Sequence, residues 1–141
     1  MCIKKLVVAY DGSPQSQKAL SWAAVFAKEV AAEIAVITVF EPVQHYALDT
    51  VVHVVHLESS FKSKLEECLK EASDFCRQKG LNVTTELRIG HPADETIKFA
   101  QEQKADLILC GTRGLSGLSG LLLGSVAQKL VTYSDISVLI V

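Results

Sequence analysis

Leu6-Val-Val-Ala-Tyr-Asp-Gly-Ser-Pro14 decides the fold. The unbroken apolar run from Leu6 to Tyr10 reads as a short strand buried on both faces. Asp11-Gly12 turns the chain, Ser13 is a good helix N-cap, and Pro14 suits the first helical position. A helix then runs to about Val30. Leu20, Ala23, Ala24, Ala27 and Ala31 recur at three-to-four spacing. They give it a narrow face of mostly small residues that can pack close to a sheet.

The same alternation continues along the chain. Ile34–Phe40 is a second buried-type strand, ended by Glu41-Pro42. Val51–Val55 can pass for a strand, but it leads into a strong helical pattern at Leu57, Phe61, Leu65, Cys68, Leu69, Ala72 and Phe75. That pattern predicts a helix over about 55–79, closed by Gly80. Residues 43–54 are either a mobile loop or an early extension of it. Val83–Ile89 alternates apolar and polar residues, as a strand near a sheet edge does. Gly90-His91-Pro92 opens a helix at about 93–103, with Ile97 and Ala100 inward. Asp106–Cys110 is the next apolar strand, residues 125–133 a short helix, and Val138–Val141 the last strand. The order βαβαβαβαβ implies right-handed crossovers and a parallel sheet covered on both faces. Ligands of such sheets bind at the carboxyl ends of the strands, beside the topological switch point.

Composition narrows the function. The chain has 141 residues, 49% of them hydrophobic, and a net charge of −2. That length fits one domain over 1–141. The near-neutral balance and 6% aromatic content argue against nucleic acid or an anionic membrane as the main partner. No run approaches the ~18 apolar residues of a membrane span. The N-terminal run is too short for a signal peptide, so a cytoplasmic location is expected. Cys2, Cys68, Cys76 and Cys110 form no C-x-x-C and read as small buried hydrophobes, with Cys68 and Cys76 able to share a helix face. His53 and His56 would lie on one face of a helix, but no further ligand accompanies them, so they read as surface residues rather than a metal site.

The stretch Gly111-Thr-Arg-Gly-Leu-Ser-Gly-Leu-Ser-Gly-Leu-Leu-Leu-Gly-Ser125 leaves a strand and runs into a helix start. Its glycines permit backbone amides to converge on an anion, and the helix dipole adds to that attraction. The alternative is a flexible loop that uses glycine for its turns. Arg113 supplies a mobile positive charge, and Ser125 can cap the helix or donate to a phosphate. The stretch lacks the Gly-Lys-[Ser/Thr] of a Walker A loop and the G-x-G-x-x-G of a dinucleotide fold. Asp11, at the end of the first strand, can accept from ribose hydroxyls or an adenine amine, or can simply begin the Asp11-Gly12 turn.

The spacing Gly111-x2-Gly114-x9-Gly124-Ser125 resembles the ATP-binding pattern of the universal stress protein family. Val7–Ser13, Thr38–Phe40, Gly90–Ile97, Ala105–Gly114, Gly124–Ala127 and Val138–Val141 resemble further segments of that family, so the likeness covers essentially the whole chain. The resemblance implies a three-layer α/β/α sandwich of the adenine nucleotide α-hydrolase-like kind, with a five-stranded parallel sheet in order 3-2-1-4-5. It implies that Asp11 meets ribose or adenine and that the Val39 backbone reads the adenine edge. Ala9 and Cys110 would line the base pocket. Gly111, Arg113 and Gly114 would wrap ribose and α-phosphate, and Gly124, Ser125 and Val126 would hold the outer phosphates. ATP, or AMP or ADP, is the implied ligand, with magnesium bridged through the phosphates. Val138, Leu139, Ile140 and Val141 would pair with a second copy to form a homodimer, which suits an apolar strand that needs a partner. Ser137 stands where many relatives carry proline.

Three functions are compatible with this pattern. A nucleotide-responsive regulatory homodimer is favoured over a slow ATPase or autophosphorylating enzyme, because no general base is evident near the phosphate loop. An interaction scaffold with a vestigial pocket is the third.

Overall fold

Every strand the sequence predicts finds a place in one sheet. A computed structural model describes residues 1–42, 51–113 and 122–141, with the side chains of 51–58 left undescribed. The elements run β1 (Lys5–Ala9), α1 (Pro14–Val30), β2 (Glu33–Phe40), α2 (Val51–Gln78), β3 (Val83–Ile89), α3 (Pro92–Glu102), β4 (Leu107–Cys110), α4 (Ser125–Tyr133) and β5 (Ser137–Ile140). The five strands lie in the order β3-β2-β1-β4-β5, and each neighbouring pair is parallel.

Strand alternation assigns the two covering layers. On one face Leu6, Val8, Ile34, Val36 and Leu109 pack under Ala19, Ala23 and Ala27 of α1 and Leu69, Ala72 and Cys76 of α2. On the other, Val7, Ala35, Ile37 and Ile108 pack under Ala93, Phe99 and Ala100 of α3 and Ala127 and Leu130 of α4. Neighbouring residues of β1 thus point into opposite cores, which is why its sequence is apolar throughout. Each fully buried branched or aromatic side chain here contributes roughly 1.5–3 kcal/mol.

The helix boundaries follow local chemistry. The Ser13 side chain caps α1, accepting the Ser16 N–H at 3.2 Å. α1 ends one residue short of the apolar stripe. Ala31 takes a left-handed conformation (φ 55°) and is exposed, and Ala32 is buried in its place. α2 begins at Val51, so the Val51–Val55 run is helical; residues 43–50 lie outside the described residues. Gly80 closes the turn after α2 at φ 74°. β3 is an edge strand, and Ile89 at its end is exposed rather than inward. Ser137 begins β5, and the preceding turn is held by Ser134. Its hydroxyl donates to Ile136 O at 2.8 Å and accepts from Ile136 N–H at 3.0 Å.

The cysteines divide. All four are free; Cys76 and Cys110 are buried, Cys68 is partly buried, and Cys2 is exposed, against the expectation for that residue. Burial pushes the Cys76 and Cys110 thiols up to about 11. They therefore behave as apolar groups.

Asp106 fastens the amino end of the sheet, accepting from the Lys4 and Lys5 N–H groups at 2.7 and 3.0 Å. These bonds hold its carboxyl below the ordinary value. Because the folded value is depressed, the stabilisation is present above the unfolded value and lost as pH falls through the folded one. An Asp106→Asn variant is expected to be less stable than the parent near pH 7. The gap should close as pH falls below the ordinary aspartate range, as followed by urea unfolding from pH 7 downward.

Candidate functional site

The site arises where neighbouring strands stop at different heights. β1 ends at Ala9, paired with Ile37, while β2 continues to Phe40. The Ile37 carbonyl accepts the Tyr10 N–H at 2.9 Å and so faces β1. Main-chain groups alternate along a strand, so the Val39 N–H and C=O face the same way, beyond the last residue of β1. Tyr10 O, the next acceptor in line, is taken by the Thr38 hydroxyl at 2.7 Å. Val39 thus offers one donor and one acceptor, side by side, to the space past β1.

That space is a cavity of about 310 Å³ at the carboxyl edge of the sheet. Ala9, Asp11, Val39, Cys110, Gly111 and Arg113 line it, as do Gly124, Ser125 and Val126 at the start of α4. Gly114, the remaining residue expected there, lies outside the described residues, as do Gly117 and Gly120. The walls also include Ser16, Glu41, Phe61, Leu65, Pro92 and Thr96, which sequence reasoning had not assigned to a site. Phe61 and Leu65 carried a signal, the helical apolar stripe, but that stripe indicates core as readily as cavity wall. Glu41 reaches the rim, where its carboxylate lies 3.0 Å from His91 Nδ1.

Asp11 is held by the turn it begins. Its Oδ1 accepts the Ser13 N–H at 2.9 Å, and Gly12 beside it sits at φ 81°. The two readings of Asp11 are therefore compatible, because the turn residue also faces the cavity. A Cβ on Gly12 would come within 2.9 Å of Cys68 Sγ, so the turn packs directly on α2.

Three helices start at this cavity, and α1 and α4 differ in how their first turns are satisfied. The N-terminus of α1 is satisfied by its own serine. α4 has Gly124 at its N-cap and no side-chain cap, and Ser125 is its first helical residue rather than the capping one. The first amides of α4 thus lack intrahelical partners and carry the positive end of the dipole. Arg113, the positive charge expected there, has its Nε buried and, among the described residues, without a hydrogen-bond partner. Gly124 N–H donates to Thr112 O at 2.7 Å, so both ends of the glycine-rich segment meet at the cavity.

Gly111 is required for packing. A Cβ there would lie 2.7 Å from the Gln15 backbone carbon in the first turn of α1. Gly111→Ala is expected to cost about 1–3 kcal/mol, read as a lowered urea midpoint with an unchanged slope.

Among the described residues, no group of three or more His, Cys, Asp or Glu could hold a metal ion, and the His53 and His56 side chains are not described. Among those residues, no helix is long and apolar enough to cross a membrane.

Comparison with known proteins agrees with this architecture. The family model described as "Universal stress protein family" matches residues 3–141. A universal stress protein of Methanocaldococcus jannaschii is 36% identical over 98% of this chain and 81% of its own length. YxiE, a universal stress protein of Bacillus subtilis, is 35% identical over 97% of each. Among solved structures, the universal stress protein UspA of Lactobacillus plantarum superposes with a TM-score of 0.89 at 19% identity, covering 100% of this chain and 99% of that one. A universal stress protein solved in complex with cAMP gives a TM-score of 0.75 at 29% identity, covering 100% and 98%.

Proposed function

The chain belongs to the universal stress protein family, and on that premise we propose that it binds an adenine nucleotide, ATP foremost, as a regulatory homodimer. The observation that carries this reading is the buried Arg113 Nε, which has no partner among the described residues, in the same cavity as the uncapped start of α4. A buried donor on a guanidinium is costly to leave unpaired, and a phosphate oxygen satisfies it. The α4 amides supply further donors and favour negative charge.

The nucleoside end fits the same ligand. β2 and β4 are separated by β1 alone, so Val39 and the Gly111–Arg113 corner stand about 10 Å apart, two strand spacings. A base at Val39 and phosphates at Arg113 span that width. The Val39 N–H and C=O match the ring acceptor and exocyclic amine of adenine. Ala9 and Cys110 give the base apolar contact, and Asp11 faces the ribose. The relative solved with cAMP supports an adenine ligand. Magnesium would be held by phosphate oxygens and water.

Binding is favoured over turnover by where the carboxylates lie. Asp11 and Glu41 are the acidic residues among the described walls. Asp11 is tied into its turn and Glu41 lies beside His91 at the rim. Neither is placed to activate water at the outer phosphates. Four free cysteines and an adenine ligand suit the reducing cytoplasm.

The dimer surface is the free edge of β5, where Leu139 is exposed and Val138 and Ile140 pack against the core beneath. Pairing with a second β5 would remove an apolar edge from water.

Calorimetric titration of the purified protein with ATP is expected to show binding. Arg113→Ala should weaken it roughly 10- to 150-fold, the equivalent of one hydrogen bond to a charged group. Failure of ATP, ADP and AMP all to bind, with no nucleotide co-purifying, overturns the reading. In sedimentation, Leu139→Lys is expected to convert a dimer to a monomer; a parent protein that sediments as a monomer removes the homodimer.

A further inference from the structure

We propose that Phe61 is the stacking residue of the base pocket and makes the site select purines over pyrimidines; this rests on the nucleotide reading above. Phe61 belongs to the apolar stripe of α2, in which Leu65 and Leu69 are 4% and 7% exposed. Phe61, one turn earlier, is 45% exposed and lines the cavity. The stripe overshoots the core there and leaves an aromatic ring partly exposed in the cavity that Val39 also lines.

The ring is held in place. Its centroid lies 5.9 Å from that of Phe40, tilted by 47°, and Phe40 is itself buried. Phe40 follows Val39 in β2, so the stacking surface and the backbone donor–acceptor pair share one support.

The geometry of the two faces gives the ring its role. Val39 packs with the α3/α4 core, whereas α2 covers the opposite face of the sheet. Phe61 therefore approaches the cavity from the side opposite the Val39 side chain. Between these apolar walls lie the Val39 N–H and C=O, directed along the sheet edge. A ligand group fitting this slot is flat, apolar on both faces, and carries a donor and an acceptor on its rim. That is the description of a nucleobase, and a bicyclic purine overlaps the ring more fully than a pyrimidine does.

The test titrates the parent protein, Phe61→Ala and Phe61→Tyr with ATP, UTP and inorganic tripolyphosphate. Thermal unfolding of each ligand-free protein confirms that it is folded. ATP affinity should fall about 5- to 150-fold in Phe61→Ala and be retained in Phe61→Tyr. UTP affinity should fall less, so the ATP-to-UTP preference shrinks, and tripolyphosphate affinity should not change. Equal ATP affinity in the parent and Phe61→Ala overturns the proposal and leaves the nucleotide reading standing. An equal loss for all three ligands also overturns it, since that marks a general distortion. A parent protein that binds none of them overturns both.

Discussion

The cavity exists because β1 stops before β2 does. Ala9 is the last residue of β1 to pair, and β2 runs on from Ile37 to Phe40. Backbone donors and acceptors left beyond a ladder must be satisfied by something else. The chain does not extend β1 to meet them, because the Thr38 hydroxyl occupies Tyr10 O and Asp11 turns the backbone toward Ser13. The start of α1, the Gly111 contact with Gln15 and the seat of α2 on Gly12 are all arranged around that early stop. Lengthening β1 would close the ladder and remove the cavity together.

A parallel sheet covered on both faces was legible because strand and helix patterns alternate. The order 3-2-1-4-5 came from the family resemblance, and the division of helices between the faces came from the structure. Ser13 as a cap and the start of α4 near residue 125 were also legible, each from a local signal. What was not legible depends on depth along a helix axis. Periodicity shows which face of α2 points inward, but not that the face extends past the core at Phe61. Ala31 continues the stripe of α1 in sequence yet falls outside the helix, because the chain turns left-handed there. Burial of the Arg113 Nε was not legible either, because a long charged side chain beside glycines carries no sequence mark of burial.

Charge is used locally in this protein rather than over its surface. Arg88 is surrounded by carboxylates, paired with Glu86 at 2.7 Å, with Glu102, and with Glu95 at 3.6 Å, and it stacks over Phe99. These partners hold its guanidinium firmly protonated and lower the Glu102 carboxyl. That arginine ties the edge strand β3 to α3, with its charge neutralised. Arg113 and the α4 amides supply a small positive region inside a chain of net charge −2. Under the proposed function, an anionic ligand would be recognised by oriented dipoles and one guanidinium instead of a basic surface.

The hydrogen bond from Gly124 N–H to Thr112 O has a consequence for how this chain tolerates change. It draws the two ends of the segment between them together, so no fixed gap has to be bridged. The same bond fixes the first turn of α4 to the chain leaving β4, so the uncapped amides of α4 and the Gly111–Arg113 corner keep their relative position across the cavity. Gly124→Pro would remove the donor and release one wall from the other.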